Sequence, residues 1–129
     1  MPKLPRQPKP QDPASIRQAW ADEHRAARRA RKDDDPIRER HHLERAHILS
    51  QPFALPHVRT HLAMLGFGVR HRDVREVRGQ LVRLLVAGPG SAFGRYPLGN
   101  TGSADVSAVQ PMEIPADLRA ILTGSMEAS

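Results

Sequence analysis

The stretch HHLERAHILSQPFALPHVRTH, residues 41–61, holds five of the chain's seven histidines. Their spacing sorts those that can act together from those that cannot. His57 and His61 lie four apart, so on a helix their imidazoles stack on one face. Glu44 and His47 lie three apart, the arrangement by which one helix offers a carboxylate and an imidazole side by side. A short turn at SQPFALP brings these two pairs to a similar level, because His47 is only about 6 Å of helix before Gln51 at 1.5 Å per residue. His41 and His42 are worse placed, His42 lying about 140° round the helix from His47.

Glu44, His47, His57 and His61 are therefore the candidate metal ligands, with Glu23 on the apolar face of a preceding helix as a fifth. Neutral imidazoles with an ionised glutamate bind a borderline divalent ion at about 2.0–2.2 Å. Zinc, nickel, cobalt or iron suit such a set. HVRTH lacks the glutamate that H-E-x-x-H supplies to zinc proteases, so that chemistry is not supported. Two other readings of the histidines stay open: a structural polar seam in which they bond to Glu44 and Glu23, and a haem or pH-switch role.

The elements that must position these residues are helical. Helices are expected over about 13–31, 36–50, 56–67 and 73–87, with a short one at 115–122. Asp12 and Asp35 are placed to cap helices that begin at Pro13 and Pro36. Asp73 and Glu76 form a capping-box pattern for the fourth. Apolar spacing sets Ile16, Ala19, Trp20, Ala27 and Ala30 inward on the first helix, and Leu43, Ala46 and Leu49 on the second. It sets Val58, Leu62, Leu65 and Val69 inward on the third. On the fourth, Val74, Val77, Leu81, Leu84 and Leu85 face in, with Arg75, Arg78 and Arg83 out. GPG is expected to stop that helix, and residues 88–102 read as loop. The fold class is all-α: four antiparallel helices as two tetratricopeptide-like hairpins, with an irregular C-terminal wrap ending in a short helix. DPIRERHHLERAHIL and DVREVRGQLVRLLVA align as a repeat of about 38 residues, placing Asp35 on Asp73 and Leu43 on Leu81.

Composition bounds what remains. The 129 residues fit one small helical domain, 14–123, between a disordered Pro/basic arm at 1–13 and a disordered tail at 124–129. There is no cysteine, which removes thiolate metal sites and cysteine nucleophiles together. No apolar run approaches the roughly 18 residues a membrane span needs, so a cytoplasmic location with no membrane partner is expected. The net charge of +6 comes with only one Trp, one Tyr and three Phe, too few aromatics to favour base stacking, and nucleic acid is not the expected partner. GPGSAFGRYPLGNTG lacks the P-loop pattern. Asn100 within GNTG reads as a turn former, and Ser91, Ser103 and Ser107 have no local base for a hydrolase triad.

HLERAHILSQ, HVRTHLAML, DVREVRGQLVRL, GNTGSADVSA and PMEIPADLRAIL together resemble a family of short bacterial proteins catalogued as domain of unknown function 3703. The resemblance spans most of residues 15–122 and carries no established activity. By position it takes in His42, Glu44, His47, His57, His61, Gln80, Asn100 and Pro111, and leaves out His24, His41 and His71. The expectation is a small non-enzymatic protein that holds a divalent metal in the histidine hairpin and serves as a metal-handling accessory. The alternative is a tetratricopeptide-like module that binds a protein partner, its histidines forming a polar seam. The oligomeric state is left open.

Overall fold

The computed structural model describes residues 4–7, 9–10, 12–107 and 110–124. The chain folds as five helices: α1 Pro13–Lys32, α2 Pro36–Ser50, α3 Ala54–Arg70, α4 Val74–Ala92 and α5 Ala116–Thr123. Among the described residues there is no strand, only an isolated bridge between Arg6 and Arg95. The fold class is all-α. No described helix is long and apolar enough to cross a membrane.

The helix starts follow from capping chemistry. Asp12 accepts from the Ser15 amide at 3.2 Å, Asp35 from Arg38 at 3.0 Å and Asp73 from Glu76 at 3.0 Å. Each bond satisfies an N–H that the helix itself leaves without a partner. The capping box of α4 is only half made. The Glu76 carboxylate turns away from Asp73 and accepts instead from Gln80 Nε2 and the Ala104 amide.

α1 packs on α2 and α3 on α4, α2 and α3 pack together, and α5 lies against α1 and α2. Two apolar clusters hold the contacts among α1, α2, α3 and α5. Ile16, Ile48, Leu49 and Leu118 join α1, α2 and α5, while Ala27, Leu43 and Met64 join α1, α2 and α3. The described part of the N-terminal arm lies against the end of α4, with the Gln7 amide donating to the Gly94 carbonyl at 2.8 Å. Residues 1–3, 8 and 11 of the arm, 108–109 of the C-terminal wrap, and all of the tail beyond Gly124 lie outside the described residues.

Two sequence expectations are corrected. α4 does not stop at residue 87 but runs through Gly88, Pro89 and Gly90 to Ala92. Pro89 is exposed, so the carbonyl its missing N–H would have satisfied can meet water. The added turn is held from outside, since buried Ser91 donates to the Gln51 carbonyl at 2.6 Å. α3 likewise extends to 54–70 from the expected 56–67.

The second correction is larger. Leu62 and Val69 of α3, and Val74, Leu81 and Leu85 of α4, are exposed rather than inward. The buried faces are instead His57, Thr60, His61, Met64 and Gly68 on α3, and Glu76, Gln80, Arg83, Ala87 and Ser91 on α4. Arg83, expected outward, is 7 % exposed. Buried polar groups are as a rule hydrogen-bonded, and Glu76, Gln80 and Arg83 find partners in the loop that follows α4, while the buried Arg83 Nε has none among the described residues. Arg83 Nη2 donates to the Ser103 and Val106 carbonyls at 3.1 and 2.6 Å.

Candidate metal centre

His47 on α2 and His57 and His61 on α3 converge inside the molecule, 3 %, 5 % and 2 % exposed. The Nε2 atoms face one another: His47 to His57 at 2.9 Å, His47 to His61 at 3.1 Å and His57 to His61 at 3.2 Å. Helix register brings the α3 pair together, and the tight turn at Gln51–Phe53 sets the end of α2 beside it.

Each outer nitrogen has a partner that fixes its proton. His47 Nδ1 lies 2.6 Å from the Asn100 carbonyl, which can only accept. His61 Nδ1 lies 2.6 Å from Gln80 Oε1. The Gln80 amide nitrogen donates to Glu76 Oε1 at 2.6 Å and to the Gly102 carbonyl at 2.8 Å, so its oxygen must face the histidine. His57 Nδ1 lies 2.6 Å from Ser91 Oγ, whose own proton goes to the Gln51 carbonyl. All three imidazoles therefore carry hydrogen on Nδ1. A neutral imidazole has one N–H, so three bare Nε2 lone pairs point at a common centre.

Such an arrangement is repulsive unless a cation sits in it. Protonation is opposed: burial holds His57 down at about 3 and His61 at about 4, and His47 well below its ordinary value. The neighbouring histidines and the Arg83 guanidinium lower His47 further. The group that fits is a metal ion. A tetrahedral ion bound at about 2.0–2.1 Å places its nitrogen ligands roughly 3.3–3.4 Å apart, a few tenths of an ångström wider than the spacings here. Metal-bound imidazoles also characteristically donate the other ring N–H to a carbonyl, carboxylate or water, as all three do here to oxygen.

The two glutamates do not join them. Glu44 accepts from Ser103 Oγ at 2.6 Å and from Arg40 Nε at 3.2 Å. Glu23 takes a bond from Arg45 Nε at 2.8 Å and pairs with His42 Nδ1 at 2.7 Å. Both carboxylates are engaged by cations and a hydroxyl nearer than the triad. His42 thus belongs to a salt-bridged seam between α1 and α2, while exposed His41 packs against its ring. His24 on α1 is partly buried and donates from Nε2 to Thr60 Oγ1 at 3.1 Å. That hydroxyl also accepts from Trp20 Nε1 and gives its proton to the Pro56 carbonyl.

Residue spacing missed Ser91, Gly102 and Arg83. It read Asn100 only as a turn former, and Gln80 only through the family resemblance. The signal was present in GNTG. Asn100 is 1 % exposed and its side-chain amide donates to the Ser107 and Gln110 carbonyls, both at 2.8 Å. Its Oδ1 accepts from the Gly102 amide, and this self-wrapped turn aims the Asn100 carbonyl at His47. Gly102 has φ +81, and a Cβ there would meet the His47 ring at 2.6 Å. Gly102→Ala is expected to destabilise the protein by about 2–4 kcal/mol through left-handed backbone strain and ring displacement. Urea unfolding checks this, and a loss under 0.5 kcal/mol, of the order of an ordinary surface substitution, would contradict it.

A family model described as "Protein of unknown function (DUF3703)" matches residues 14–122. No curated protein and no solved structure matches the chain.

Proposed function

The chain belongs to the DUF3703 family, whose description carries no activity, and from the site itself we propose that this protein binds one divalent metal ion through His47, His57 and His61. The single observation that carries this is the set of three Nε2 atoms within 3.2 Å, each imidazole bonded through Nδ1 to an oxygen partner. A purely structural histidine seam would need protons between the rings, and the outer bonds take them all.

The donor set is all nitrogen, neutral and without thiolate, which suits zinc, cobalt, nickel, copper(II) or iron(II). Three protein ligands leave a fourth tetrahedral position for water or a small anion. The role that follows is a non-enzymatic metal-handling accessory. In this reading α1 with α2, and α3 with α4, act as two tetratricopeptide-like hairpins whose junction houses the ion.

Equilibration with zinc, cobalt or nickel followed by desalting is expected to leave about one equivalent bound by elemental analysis. His57→Ala should retain none. Gln80→Leu, which removes the acceptor that orients His61, should weaken binding about 10–100-fold. If the unmodified chain retains no ion from any of the three, the proposal fails.

A further inference from the structure

Nine large apolar side chains stand exposed among the described residues, and all but Ile37 lie on α3, on α4 or at Phe93, which caps α4. Leu55, Leu62 and Val69 are seven apart, so they form one line along α3. Leu81, Val82 and Leu85 form the matching stripe on α4. In each helix the stripe lies opposite the face that holds the imidazole site. The two stripes therefore make one outward apolar surface on the α3/α4 pair. An exposed apolar surface of this extent marks an interface on a folded protein.

We infer that this face is the contact of a two-fold symmetric homodimer, in which α3 and α4 pack on the same helices of a second copy. The first ground is size. At about 60–120 Å² for each buried apolar side chain, eight of them supply roughly 500–1,000 Å² per copy, a range that spans the 800 Å² per partner of a standard stable interface.

The second ground is that the surface has no counterpart elsewhere on the described chain. Outside α3, α4 and Phe93 only Ile37 is a large exposed apolar residue. A head-to-tail contact would leave one copy of the patch bare, whereas a two-fold contact sets the patch on itself and covers both.

The third ground is charge. Arg75 and Arg78 are exposed near the start of α4, while the described exposed residues from Leu81 to Phe93 are all uncharged. A two-fold axis near Leu85 lays α4 antiparallel to its copy. Each arginine pair then lies over the uncharged end of the other helix.

The internal repeat supplies a fourth. Leu81 and Leu85 correspond to Leu43 and His47 of α2. Those two are 4 % and 3 % exposed, Leu43 between Ala27 of α1 and Met64 of α3 and His47 against α3 and Asn100, whereas Leu81 and Leu85 are 52 % and 79 % exposed. The face that the first repeat buries within the chain is left uncovered on the second.

Sedimentation equilibrium of the full chain at micromolar concentration tests the inference. The unmodified protein is expected at twice the 14.4 kDa of one chain. The double variant Leu81→Glu with Leu85→Glu should sediment at half that mass with an unchanged helical circular dichroism spectrum, and Ile37→Glu should remain dimeric. Leu55→Glu with Leu62→Glu gives the same reading from α3 should the first variant fail to fold. A monomeric unmodified chain, with or without affinity for anionic lipid vesicles, overturns the inference. So does a dimer that survives both double variants.

Discussion

Zinc added to the metal-free chain at about a thousandfold over its dissociation constant is expected to stabilise it by about 4 kcal/mol. For a domain of this size that corresponds to a rise of roughly 10–20 °C in thermal midpoint. The size follows from how the site is built. The outer hydrogen bonds of His47, His57 and His61 aim their Nε2 atoms at one centre, so binding needs little reorganisation. Without an ion, three lone pairs confront one another in a medium that excludes water. The unfolded chain, its histidines dispersed, competes poorly for the same ion. His57→Ala removes one of the three ligands, and its midpoint should be insensitive to zinc. Differential scanning calorimetry of both proteins, with and without metal, makes the comparison. An unmodified chain whose midpoint does not move with zinc, cobalt or nickel would contradict the metal reading.

Acid is expected to unfold the metal-free protein well above the usual carboxylate range. In the folded state burial holds His57 at about 3, His61 at about 4 and His47 well below 6.5. In the unfolded chain the same imidazoles titrate near 6.5. Between those limits the unfolded state binds more protons, so stability rises with pH and is lost as pH falls. The contribution is complete above about pH 6.5, and each triad histidine then loses up to about 1.4 kcal/mol per pH unit below it. Three such groups erode several kcal/mol within two units, a large share of the roughly 5–15 kcal/mol that holds a small protein folded. His24, lowered to about 4 by burial, acts in the same direction from its place beside Thr60. Urea midpoints measured from about pH 7 to about pH 5 should fall steeply, and His57→Gln should flatten the slope by about one proton. A midpoint constant over that range would contradict the buried, neutral triad. Bound metal should shift the whole fall to lower pH, since protons must then displace the ion.

Local rules made much of this molecule legible. Asp12, Asp35 and Asp73 cap helices because an aspartate before an apolar-periodic run satisfies orphan amides wherever it occurs. The spacing around a short turn singled out the same three imidazoles that the structure brings together. Periodicity was weaker on α3 and α4. It finds two faces of a helix but not which one turns inward, and here Glu76, Gln80 and Arg83 had partners waiting in the chain after α4, and Ser91 in the turn between α2 and α3. Glu23 and Glu44 were drawn elsewhere for a similar reason. Arg45, Arg40 and Ser103 lie closer to them than the triad does, and Ser103 is 59 residues away in sequence. The acceptors that orient the imidazoles come from just as far, with Asn100 53 residues beyond His47.

That last distance bears on time as well as on geometry. The Asn100 carbonyl and the Gly102 backbone lie against His47 in a triad almost sealed from solvent. An ion inside has no direct path out. Exchange must wait for this segment to lift, a local opening whose free energy sets how often the site meets water. Residence time would then be set by how often the latch opens as well as by the strength of the metal–nitrogen bonds.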